Sequence, residues 1–123
     1  MTSHFKDLDT WQKAMSFVEK LYQCTVRFPA NEMYGLTSQI RRAAVSIPSN
    51  IAEGAEREST KDFLRFISMA KGSQAEVETQ LILANRLGFL PEEQFSSLIN
   101  VLHEVGRMLH GLQRSLNKKL ETV

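Results

Sequence analysis

From Phe95 to Leu116 the chain places an apolar side chain at every third or fourth position: Phe95, Leu98, Leu102, Val105, Leu109, Leu112 and Leu116. A strict three-four alternation lines up one face of a helix, and sustained over this length it is the seam of a helix packed lengthwise on other helices. A strand needs alternation with a period of two, which this segment lacks. Pro91-Glu92-Glu93 opens the pattern correctly: proline fits the first helical turn, and the two acids sit at the positive end of the helix dipole.

Three more helices read upstream. The first begins at Asp9, whose carboxylate is placed to cap the helix with Gln12 completing a capping-box-like pair, and Pro29 ends it. Leu8, Trp11, Met15, Val18, Tyr22 and Thr25 form its regular stripe, which is expected to face the core. The second starts between Asn31 and Thr37 and runs to Gly54, with Leu36, Ile40, Ala43 or Ala44, Ile47 and Ile51 on one face. Pro48 lies inside it, removes a backbone hydrogen bond and predicts a kink, with Ser46 or Ser49 satisfying the freed groups. Ser59 caps the third, which runs to Leu87 before Gly88 provides a left-handed stop. The connections are short, so consecutive helices are expected to be antiparallel neighbours. The expected fold is an all-α, up-down-up-down four-helix bundle forming a single domain over residues 1–123.

The third helix carries two stripes. Phe63, Ile67, Ala70, Val77, Leu81 and Ala84 suffice for a core, while Phe66, Met69, Ser73, Glu76, Gln80, Leu83 and Leu87 form a second seam. A lone bundle asks one apolar face of each helix, so the surplus implies further burial, for which a homo-oligomer is the economical explanation. The second helix has a matching side seam of small and polar residues: Gln39, Ala43, Ser46, Asn50 and Glu53. That seam serves either as a network fixing register within a subunit or as a contact between subunits.

No constellation for catalysis assembles from this sequence. Cys24 is the single cysteine, without a neighbouring histidine and late in its helix, away from the field that lowers a thiol pKa. Glu-x-x-His half-sites for a di-metal centre are absent, since the residues three before His103 and His110 are Asn100 and Arg107. The glycines make no phosphate-binding loop. No metal, cofactor or enzymatic activity is therefore expected. One cysteine, no apolar leader and no run long enough to span a bilayer give a cytoplasmic expectation with no membrane partner.

With 15 basic and 14 acidic side chains the formal charge is +1, so only a local patch can attract a polyanion. Arg41, Arg42, Arg57, Lys61 and Arg65 are the candidate nucleic-acid contacts, and Lys61 and Arg65 lie one helical turn apart. Glu56, Glu58 and Asp62 sit among them and Glu53 and Glu76 are within reach, so ion pairing is the favoured reading of these cations.

The stretch GLTSQIRRAAVSIPSNIAEGAER at 35–57 resembles the 23S rRNA-intervening-sequence protein family. The likeness extends to FKDLDTWQKAMSF at 5–17, the FP-x-x-E-x-YGL turn at 28–36, DFLRFISMAKGSQAEVETQL at 62–81 and LGFLP at 87–91. It implies a four-helix bundle whose relatives form ring-shaped homopentamers, in agreement with the surplus seam. The family is also similar to the accessory variability determinant of diversity-generating retroelements, which binds a reverse transcriptase and nucleic acid. The resemblance thus leaves two expectations: an oligomeric interaction module meeting a protein partner, or a binder of ribosomal RNA or other nucleic acid.

Overall fold

The computed structural model describes residues 4–121 and contains four α-helices, with no strand among those residues. They are α1 (Asp9–Thr25), α2 (Leu36–Ala55), α3 (Thr60–Arg86) and α4 (Glu92–Glu121), with short 3₁₀ turns at Phe5–Asp7 and Ala30–Glu32. Each helix packs on its neighbours in the chain, and α4 returns to α1, closing a four-cornered bundle in which α2 and α4 lie diagonally opposite.

Local chemistry accounts for most of the boundaries. Ser59 accepts the Asp62 amide at 3.0 Å and starts α3. Gly88 takes a φ of +80°, the left-handed stop that glycine adopts without a Cβ penalty. The start of α1 differs from expectation: Leu8 holds the cap position, Asp9 is the first helical residue, and Gln12 Nε2 donates to the Lys6 carbonyl at 2.8 Å. The preceding 3₁₀ turn brings that carbonyl within reach, so no capping box closes. α2 begins where the Glu32 carboxylate accepts the Leu36 amide at 3.1 Å. It runs unbroken through Pro48, and Ser46 Oγ turns to α3 rather than to the backbone the proline frees.

The core is built from Phe17 and Leu21 of α1, Ile40, Ile47 and Ile51 of α2, Ile67, Val77 and Leu81 of α3, and Leu98, Leu102 and Leu109 of α4. α4 uses the face its sequence announces. α1 turns a neighbouring face inward: Thr10, Ala14, Phe17, Leu21 and Thr25 are buried, while of the expected stripe Thr25 is buried, Leu8, Trp11 and Val18 pack against the core only partly covered, Met15 is half-covered and Tyr22 is exposed. The expected stripe is rotated by one residue, about 100° around the axis. Both faces of α1 are apolar at three-four spacing, and the one carrying Ala14, Phe17 and Leu21 is innermost.

Candidate interaction surfaces

The two side seams of α2 and α3 face each other. Ser46 Oγ and Ser73 Oγ lie 2.8 Å apart across the helices, and Asn50 Nδ2 donates to both Ser46 Oγ and the Ser46 carbonyl at 2.9 Å. Phe66 and Gln80 are buried in this contact, 5% and 8% exposed, and Gln80 Oε1 has no hydrogen-bond partner among the described residues. At its lower end Gly54 lets the helices approach: a Cβ there would stand 2.7 Å from Phe66 Cβ. Much of the surplus seam is thus consumed inside the subunit. Gln39, Glu53 and Glu76 stay exposed at its rim, as do Met69, Leu83 and Leu87, which are about half exposed and form an apolar edge.

The basic residues singled out from the sequence do not form one patch. Arg57 reaches Glu53 at 3.1 Å and Asp62 at 3.8 Å while stacking over the Phe66 ring at 4.7 Å. Arg65 pairs with the same Asp62 at 2.9 Å and covers Phe66 from 4.5 Å. Both cations are therefore spoken for at the α2–α3 turn, as the favoured ion-pairing reading expects; Glu76 takes no part. Arg41 belongs to another place: its Nε donates to Thr25 Oγ1 at 2.9 Å and its guanidinium stacks on Tyr22 at 4.6 Å, tying α2 to the end of α1. Arg42 and Lys61 are exposed and form no ion pair among the described residues.

Sequence reasoning missed the outer side of the α1–α2 contact, because it assigned those α1 residues to the core. Trp11, Met15 and Val18 there face Val45, Pro48 and Ala52, forming an apolar groove of about 300 Å³. At Val45 the groove runs into a second hollow of about 430 Å³ bounded by Tyr22, Met33, Tyr34 and Arg41. Tyr34 is 97% exposed. Sequence carries no signal that separates the two α1 faces, since both repeat apolar residues at three-four spacing.

Chemically reactive groups stay dispersed. Among the described residues no three of His, Cys, Asp and Glu gather as a metal site, and His103 meets Glu78 of α3 at 3.2 Å in an exposed pair. Burial pushes the Cys24 thiol above its ordinary value, with Lys20 opposing more weakly. No described helix is long and apolar enough to cross a membrane.

No curated protein matches the chain. A solved protein of unknown function from the S23 ribosomal protein family of Bacteroides thetaiotaomicron is similar, with 27% identity, a TM-score of 0.74, and coverage of 85% of this chain and 97% of its own. The pattern that defines the 23S rRNA-intervening sequence proteins matches residues 6–111, the whole bundle apart from the end of α4. On that match the chain belongs to the 23S rRNA-intervening sequence protein family.

Proposed function

We propose that this protein is a non-enzymatic interaction module that works as a homo-oligomer, assembling through the faces that flank α2. The observation that carries the reading is the apolar groove of Trp11, Met15, Val18, Val45 and Pro48, continued by Tyr22, Met33 and Tyr34. An apolar surface of this extent on so small a domain points to a partner. A second copy is the economical one, because α3, on the other side of α2, carries different exposed apolar residues, Met69, Leu83 and, at its end, Leu87. Two unlike patches on adjacent faces favour a head-to-tail contact, and such contacts generate rings when the rotation closes. The homopentameric relatives implied by the resemblance have that form.

Light scattering on a size-exclusion column tests this. The wild-type chain is expected at a multiple of 14.0 kDa, and Val45→Glu, at a position already 39% exposed, is expected to give a folded monomer with an unchanged helical circular-dichroism signal. A wild-type monomer at micromolar concentration overturns the proposal, as does a Val45→Glu protein that keeps the wild-type mass.

A further inference from the structure

We infer that the outer face of the second half of α4 is a docking surface for the phosphate backbone of a nucleic acid. From Val105 to Leu120 the chain holds Arg107, Arg114, Lys118 and Lys119 and not one acidic residue, the longest such stretch bearing four cations in the sequence. The near-neutral total conceals it, because the compensating acids lie outside the stretch: Glu92, Glu93 and Glu104 precede it and Glu121 follows it.

Arg107, His110, Arg114 and Lys118 follow each other at spacings of three, four and four, the step that aligns side chains along one side of a helix. All four are exposed. In contrast to Arg57 and Arg65, the three cations Arg107, Arg114 and Lys118 make no ion pair among the described residues. The nearby acid Glu104 is engaged by Lys13 of α1 at 3.2 Å. At ~1.5 Å per residue the eleven steps from Arg107 to Lys118 cover about 16 Å, a span matching some five phosphates of one duplex strand at ~3.4 Å each.

The surroundings favour this occupant over a membrane or an apolar partner. Between the cations the face shows Gly111, Ser115 and Asn117, with Glu121 closing its C-terminal end and no large apolar side chain to anchor in lipid or fill a protein pocket. Gly111 stands at the centre of the row, and a Cβ there would meet nothing within 4 Å among the described residues. No packing contact calls for glycine at that point of a helix; its absent side chain lets a ligand come close to the backbone. The row also lies on the helix diagonally opposite α2, so assembly through the α2 faces leaves it outward, repeated once per subunit.

Fluorescence anisotropy with a labelled sixteen-base-pair RNA duplex of arbitrary sequence tests the inference. Three phosphate contacts give a slope of log affinity against log salt near −3, a loss of roughly 40-fold between about 50 mM and about 200 mM salt. The combined variant Arg107→Gln, Arg114→Gln, Lys118→Gln is expected to bind at least tenfold more weakly, and Gly111→Leu to weaken binding with the charges intact. Arg57→Gln with Arg65→Gln is expected to change affinity less than twofold. All are surface changes, and circular dichroism confirms their folding. Absence of binding at 50 mM salt, a triple variant that binds as wild type, or displacement of the RNA by an equal charge of polyglutamate or by phosphatidylserine vesicles overturns the inference. The monomeric Val45→Glu chain keeps the α4 row, so its residual salt-dependent binding separates this surface from the oligomer.

Discussion

Ser46 of α2 and Ser73 of α3 share one hydrogen bond, 2.8 Å long, at the centre of the most extensive helix contact in the bundle. Around it lie alanines, a glycine and the covered Phe66 ring. Small side chains let the two axes come close, and the hydroxyl pair then sets which turn of α2 faces which turn of α3. Sliding either helix by one turn would strip the Ser73 hydroxyl of this partner, at a penalty of about 1–3 kcal/mol, whereas Ser46 Oγ would keep the Asn50 amide within its own helix.

The two serines are not equivalent. Ser46 Oγ also accepts from Asn50 Nδ2 at 2.9 Å, whereas among the described residues Ser73 Oγ has the one partner. Ser73→Ala is expected to cost about 1 kcal/mol in urea denaturation, and Ser46→Ala about 1–2 kcal/mol because it strands a second group. Asn50 keeps its bond to the Ser46 carbonyl in both variants, which limits the difference. Equal losses would show that the Asn50 contact contributes nothing.

Two glycines on the same pair of helices should respond to alanine in opposite directions. At Gly54 a Cβ would press on Phe66 Cβ at 2.7 Å and Phe63 Cδ1 at 2.9 Å, so Gly54→Ala is expected to destabilise by about 1–3 kcal/mol. At Gly72, exposed in the middle of α3, nothing lies within 4 Å of the added carbon. There Gly72→Ala is expected to stabilise by about 0.5–1 kcal/mol through helix propensity. Thermal unfolding of the two variants beside the wild type checks both signs.

The four helices and the α4 seam were legible in the sequence because one periodicity competed with nothing. Leu98, Leu102, Val105, Leu109 and Leu116 are buried as their spacing requires. α1 was misread for a physical reason: Trp11, Met15 and Val18 repeat with the same period as Ala14, Phe17 and Leu21, and periodicity cannot say which of two apolar faces is innermost. Space decides, and space is a property of α2 and α4. The side seams of α2 and α3 were visible as surplus, yet only the packed structure shows that they meet one another. The basic residues show the same limit. Sequence places Arg57, Asp62 and Arg65 close together, but not that both guanidinium groups stack over the ring of Phe66.

Arg57 bridges the turn between α2 and α3, with Glu53 on one side and Asp62 on the other. Each of these ion pairs is partly exposed and worth a few tenths of a kcal/mol. The stacking on Phe66 adds apolar cover that salt does not screen. Arg57→Lys keeps the charge and loses the planar stack, so it is expected to cost nearly as much as Arg57→Ala, both at about 0.5–1 kcal/mol. The deficit of Arg57→Lys should persist in high salt. A lysine variant as stable as wild type would assign the role to charge alone.

Cys24 carries a pH signature whose sign follows from its burial. Desolvation by the surrounding apolar side chains raises its pKa, and the Lys20 ammonium offsets that only in part. The thiolate is the reactive form, so alkylation at about pH 8 is expected to be slower than that of a small free thiol under the same conditions. For stability, the folded chain holds its thiol proton through a pH range in which the unfolded chain has already begun to release it. The contribution is therefore complete below the ordinary thiol range and is lost as pH rises through it. Many groups titrate there, and the comparison with Cys24→Ala isolates this one: the wild type should lose more stability than the variant between about pH 7.5 and about pH 10. Parallel losses in the two proteins would mean that the thiol has the same proton affinity folded and unfolded, and the half-buried setting of Cys24 at the end of α1 would then have no energetic consequence.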